Sequence, residues 1–138
     1  MNRTLRFVAL AVLAVAPLAG CQTGASMMIT GKVITGNLSF IGAVDPSDER
    51  LKGAGVEGAT ISARKVVENQ AGNAIGEIKS GKDGTFKLPV KDQSAFMRQT
   101  QIDATKEGYL GASATMPFPP ADRRLLVILK PEGPARSR

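Results

Sequence analysis

A single cysteine, Cys21, and the absence of histidine bound the chemistry open to this 138-residue chain. Without imidazole there is no His-based nucleophilic triad, no His-containing zinc site and no ordinary proton shuttle near neutral pH. The hydroxyls offer little in its place, because Ser62, Ser80 and Ser113 read as outward strand polars or turn residues. Hydrolysis by a carboxylate pair needs two acids facing each other across a cleft, and no spacing brings Asp83, Asp103 and Glu107 together. Asp45, Asp48 and Glu49 are possible calcium ligands, but their spacing matches no EF-hand loop and Arg50 opposes a cation. Gly81 to Gly84 lacks the strand-to-helix setting of a phosphate-cradling loop. The expectation is no catalytic site, no metal and no cofactor, with an enzyme of unfamiliar type left as an alternative.

The reactive thiol sits in a telling place. Arg3 and Arg6 form a basic head, Phe7 to Val15 an apolar centre, and Pro17 with small residues leads to Leu18-Ala19-Gly20-Cys21. This is the grammar of an export signal, too short to span a bilayer as a permanent helix. The run Leu18 to Cys21 resembles the lipobox of bacterial lipoproteins. That resemblance implies cleavage before Cys21, acylation of its thiol and of the new amino terminus, and anchorage in the cell envelope. Each buried methylene contributes about 0.8 kcal/mol, so several acyl chains would hold firmly where one would not. Gln22 stands where an aspartate would favour inner-membrane retention, which by the same resemblance points to the outer membrane facing the periplasm. The alternative is an ordinary secretory signal followed by a chance cysteine.

Removing residues 1–20 leaves 118 residues, enough for one domain with a real core. Residues 21–28, short and rich in small side chains, read as a lipidated tether, 29–131 as the domain, and 132–138 as a flexible tail. With Cys21 acylated no internal disulfide is possible, and with no Trp and one Tyr the core must be aliphatic. The remaining 16 Lys and Arg exceed the 12 Asp and Glu only mildly. They are scattered, so they read as a solvated surface, with anionic lipid head groups or cell-wall polymers as further possibilities. No basic cluster is interleaved with aromatics, and nucleic acid is not an expected partner.

Stepping along the chain, period-2 alternation predicts about seven short strands. Ile29, Gly31 and Val33 open the series, followed by Ala59, Ile61 and Ala63, and by a weaker segment holding Ile75 and Ile78. Gly81-Lys82-Asp83-Gly84 predicts a tight hairpin turn into Phe86, Leu88 and Val90. Ile102 with Ala104, then Leu110, Ala112, Ala114 and Met116, and finally Leu125, Val127 and Leu129 complete the set. Two helical turns are expected. Asp45 would cap one that Gly53 stops; Lys91 to Gln99 would hold the other, capped by Asp92 or Ser94, with Phe96 and Met97 packing down. The fold class is therefore all-β, a sandwich with one or two short helical turns.

In order along the chain, Ile29-x-Gly31-x-Val33, Gly58-Ala59-Thr60-Ile61-Ser62, Lys82-Asp83-Gly84-x-Phe86-x-Leu88, Ala104-x-Lys106-x-Gly108-Tyr109 and Leu125-x-Val127-x-Leu129 resemble a carboxypeptidase-regulatory-like domain. The resemblance implies a transthyretin-like Greek-key sandwich and scaffold rather than catalytic roles for these residues. The chain departs from that pattern at Lys91 to Gln101 and at the long segment Gly36 to Glu57, which holds Leu38, Phe40, Ile41 and Val44. That segment either adds an edge strand or exposes a contact surface. Phe40 and Ile41 are the candidate partner-binding residues. The expected function is a non-catalytic envelope adaptor that binds a protein partner, with a carbohydrate- or cell-wall-binding module as the alternative. Oligomeric state is not legible.

Overall fold

The computed structural model describes residues 27–134; Cys21, the signal-like stretch 1–20 and residues 135–138 lie outside them. Nine strands form two sheets, and the only helical pieces among the described residues are two short 3-10 turns. The strands are β1 (Met27–Thr35), β2 (Phe40–Val44), β3 (Thr60–Val67), β4 (Gln70–Lys79), β5 (Thr85–Val90), β6 (Gln99–Thr105), β7 (Tyr109–Leu110), β8 (Ala112–Pro117) and β9 (Arg124–Pro131). Sheet A runs β2-β9-β1-β5, with β7 also paired to β9, and sheet B runs β4-β3-β6-β8. The chain is an all-β sandwich.

All seven expected strand segments are present, and β2 and β7 are additional. β1 starts at Met27, whose side chain is buried, so the strand reaches two residues into the stretch read as tether. The stripe Leu110 to Met116 is divided: Leu110 belongs to β7 beside β9, whereas Ala112, Ala114 and Met116 belong to β8 in the other sheet. Alternation carried through Gly111 because a break in the strand need not change the parity of its neighbours.

Inward residues divide by size between the sheets. Sheet A contributes Ile29, Val33, Phe86, Leu88, Val90, Leu125, Val127 and Leu129, while sheet B answers with Ile61, Ala63, Ile102, Ala104 and Ala112. Large side chains against small ones let the layers interdigitate at interior density. A second, smaller cluster of Ile34, Val44 and Leu126 lies on the outer face of sheet A, covered by Leu51 from the 3-10 turn Glu49–Lys52. β9 is thus flanked on both sides and covered on both faces. Its unbroken run Leu125 to Leu129 is the pattern such a central strand requires.

Two turns differ from the sequence reading. Asp83-Gly84 does form a tight turn, with Gly84 at φ +81°, but it joins β4 of sheet B to β5 of sheet A and is a corner between sheets, not a hairpin. A Cβ at Gly84 would fall 2.2 Å from the Val33 carbonyl oxygen, so glycine is demanded by contact as well as by φ. The hairpin is β3–β4, turning through Glu68 and Asn69, both at positive φ.

The first 3-10 turn is capped by Asp48 and not by Asp45. Asp45 instead accepts from the Ser47 amide at 2.9 Å and hydroxyl at 2.6 Å, building a separate turn just before it. The second turn, Gln93–Met97, is capped by Asp92, but it buries Ala95 and leaves Phe96 and Met97 exposed. A 3-10 turn presents one residue in three to the core, and here that residue is alanine. Ser80, read as a turn polar, is buried: its hydroxyl donates to the Val56 carbonyl at 2.6 Å and accepts from the Ala59 amide at 2.9 Å.

Candidate partner-binding groove

A two-sheet sandwich has two open sides, each formed by one edge strand from each sheet. On one side β4 and β5 meet. The Lys91 amide donates to the Ile75 carbonyl at 3.3 Å, and Gly76 lies so close that a Cβ there would fall 2.5 Å from the Pro89 oxygen. On the other side β2 and β8 face each other, each paired along one flank only. Between them runs a groove of about 490 Å³, lined by Phe40, Ala43, Ala114, Met116, Phe118 and Pro119, among others.

Phe40 and Ile41 open β2 and point to opposite sides of sheet A. Ile41 is 6% exposed and packs in the main core, whereas Phe40 is 38% exposed. Only Phe40 of the pair is therefore available to a partner. Its ring lies over Gly42, where a Cβ would fall 2.5 Å from Phe40 Cζ. From outside, the Arg50 guanidinium carbon stands 6.0 Å from the ring centroid, within range of a cation–π contact. Arg50 is itself aimed by Asp48, which accepts from Nε at 3.0 Å and from Nη2 at 2.7 Å. This paired hydrogen bond holds the Asp48 carboxyl down to about 2. The capping acid of the 3-10 turn thus also orients the aromatic at the groove.

The far end of the groove draws in the second unusual segment. Phe118 is buried and meets Phe96 with ring centroids 4.9 Å apart and planes at 51°, a tilted pairing. Phe96 is held there by Asp92, whose carboxylate accepts from Lys65 Nζ at 2.8 Å, the Ser94 amide at 2.9 Å and the Ser94 hydroxyl at 2.6 Å. Lys65 and Ser94, in that order, pull the Asp92 carboxyl down to about 2. The two departures read in the sequence, Gly36 to Glu57 and Lys91 to Gln101, meet at one groove through Phe40 and Phe118. Sequence placed them apart; Phe118, hidden in a proline-rich closing stretch, joins them, and its only sequence signal was one large aromatic between Pro117 and Pro119.

The polar candidates gather elsewhere. On the outer face of sheet B, pairing places Glu77, Ser62, Asp103 and Ser113 in one row across four strands. Asp103 accepts from the Ser113 hydroxyl at 2.6 Å and from Gln101 Nε2 at 3.0 Å, with Arg64 Nε at 3.6 Å. These residues line a polar groove of about 580 Å³. Asp83 and Glu107 are not among its lining residues. Among the described residues no group of three or more His, Cys, Asp or Glu is placed to hold a metal ion. The groove between β2 and β8 can therefore offer an apolar floor flanked by two strand edges, and the sheet B groove a hydrogen-bonding surface. Comparison of the chain with protein-family models, with curated proteins and with solved structures finds no match.

Proposed function

We propose that this chain is a lipid-anchored adaptor of the bacterial cell envelope that binds an extended segment of a protein partner between β2 and β8. The observation that carries the reading is the apolar groove between two singly paired edge strands, with Phe40 exposed at its rim. An extended peptide gains affinity from hydrogen bonds to a strand edge and specificity from pockets that take alternate side chains. Phe40, Met116 and Phe118 supply apolar contacts, and Pro117, Pro119 and Pro120 offer the partner no backbone donors at the end of β8. The envelope part of the reading rests on Leu18 to Cys21 and Gln22. No step in it requires catalysis.

A carbohydrate- or cell-wall-binding role is the second reading, favoured by the Arg64, Gln101, Asp103 and Ser113 network of sheet B. Site-specific photo-crosslinkers in intact envelopes separate the two. A crosslinker at Thr115 should capture a protein while one at Thr60 does not, and Phe40→Ser should abolish the capture without lowering the melting temperature. By contrast, Ile41→Ala should cost about 2 to 5 kcal/mol of stability, as expected for emptying a core site. Capture that persists in Phe40→Ser, or cell-wall polymer retained through Thr60, would defeat the adaptor reading.

A further inference from the structure

The outer face of sheet A is divided along its strands. One part is apolar, where Ile34, Val44 and Leu126 sit beneath Leu51. The adjoining part is cationic, because β9, β1 and β5 carry Arg124, Lys32 and Lys87 on the same outward side. Register fixes the arrangement. Thr30 pairs with Lys87 and Lys32 with Thr85 across β1 and β5, and Lys32 pairs with Leu126 across β1 and β9. Arg124 therefore stands beside Thr30. Strands about 4.8 Å apart, with same-face residues about 7 Å apart along each, set the three cations in a triangle around Thr30 at spacings of about 8 to 10 Å.

These residues line a groove of about 740 Å³ with Pro46 and Leu51 among its apolar lining, and Lys79 of sheet B adds a fourth cation. No carboxylate lines it. None of Lys32, Lys79, Lys87 and Arg124 is paired with a carboxylate among the described residues, and the Thr30 hydroxyl makes no hydrogen bond there. Asp83 lies near Lys32 and offsets it in part, but its Oδ1 is already taken by the Thr85 hydroxyl at 2.6 Å and amide at 3.0 Å. Four unpaired cations beside an apolar wall match an anion that carries an apolar portion. Position along the chain agrees. β1 opens six residues after Cys21, a stretch that reaches about 20 Å at most, and exposed Met28 projects from the same face as Thr30 and Lys32.

We propose that this groove binds the phosphate head group of an anionic membrane lipid. Arg124 and Lys32 hold the non-bridging oxygens, the Thr30 hydroxyl donates a further hydrogen bond, and Leu51 and Pro46 cover the glycerol end. The choice of lipid as the source rests on the envelope-anchored reading, while the site itself stands on the cation triangle. The test uses residues 21–138 carrying Cys21→Ser, so that neither acylation nor the apolar stretch Phe7 to Val15 contributes. Its binding is measured by co-sedimentation with vesicles of phosphatidylcholine alone and of phosphatidylcholine mixed with phosphatidylglycerol.

Binding should require phosphatidylglycerol. Combined Lys32→Gln, Lys87→Gln and Arg124→Gln should weaken it about 100-fold, following the usual contribution of a basic residue at an anionic surface. The equal change in charge at Lys91, Arg98 and Lys130, outside the groove, should weaken it less than about threefold. If the triple change lowers the melting temperature, the exposed single change Lys87→Gln replaces it, with an expected loss of about fivefold. Equal losses in the two triple variants would overturn the site in favour of diffuse charge. Saturable binding of glycerol 3-phosphate with no preference for anionic vesicles would overturn the lipid source. Failure of acyl labelling at Cys21 in the unaltered chain would remove the anchor and leave these outcomes unchanged.

Discussion

Thr100 is fully buried between the sheets, and its hydroxyl has no hydrogen-bond partner. An unpaired buried hydroxyl carries its desolvation cost with no return, typically about 1 to 3 kcal/mol. Thr100→Val, nearly equal in shape, should therefore raise stability by about 1 kcal/mol, read as a higher midpoint in denaturant titration; an unchanged or lower midpoint would mean that the hydroxyl is satisfied in solution. Residue-level reading of the sequence succeeded where side-chain parity decided the outcome. Phe86, Leu88 and Val90 are buried as their alternation required. It failed where parity was known but the second face was not. Phe40 and Ile41 look equivalent in the sequence, but successive residues of a pleated strand face opposite sides. Ser80 was legible as a turn residue from its neighbours, but nothing local signals the carbonyl of Val56, twenty-four positions away, that keeps it inside.

The two 3-10 turns are the elements most exposed to acid. Each is pinned by one carboxylate held down to about 2, Asp48 by the Arg50 guanidinium and amide and Asp92 by Lys65 and Ser94. Both lie below the ordinary carboxylate value of about 3.9. Folded-state values below unfolded ones mean that these contacts stabilise the chain fully above about pH 4 and are lost as pH falls toward about 2. Asp45 and Asp83 are lowered too, by Ser47 and Thr85, and add in the same direction. Without histidine, the melting temperature should be nearly level from about pH 5 to 8 and should drop below about pH 4. Asp92→Asn should flatten part of that drop. A profile that falls between about pH 5 and 8, or one unaltered by the substitution, would contradict the assignment. Element existence was readable here because Asp, Pro and Gly punctuate locally. Which sheet an element joins was not: Asp83-Gly84 specifies a turn equally well whether the next strand pairs with the last or crosses to the opposite layer.

At the scale of the molecule, the lysines and arginines that look scattered in sequence become a patch only through strand order, since Lys32, Lys87 and Arg124 are fifty-five and thirty-seven positions apart along the chain. The stretch around Cys21 is the reverse case, legible in sequence and outside the described residues. If its thiol carries the anchor, Cys21→Ser should abolish acyl labelling and shift the protein from the membrane to the soluble fraction. Retained labelling would place the acyl group on another residue. The position of β9 has a consequence of a different kind. It is inserted between β1 and β2, and its pairing of Leu125 with Gly31 spans ninety-four residues. At about 5 to 20 residues per second of synthesis, that interval is roughly 5 to 20 s. Throughout it, β1 and β2 lie on either side of a vacant place, and the sandwich has no central strand around which to close. Such a topology sets a timer on folding. Sheet B and the β1–β5 pair can form before β9 arrives, but β2 has no strand partner until then, so sheet A is the last layer to close.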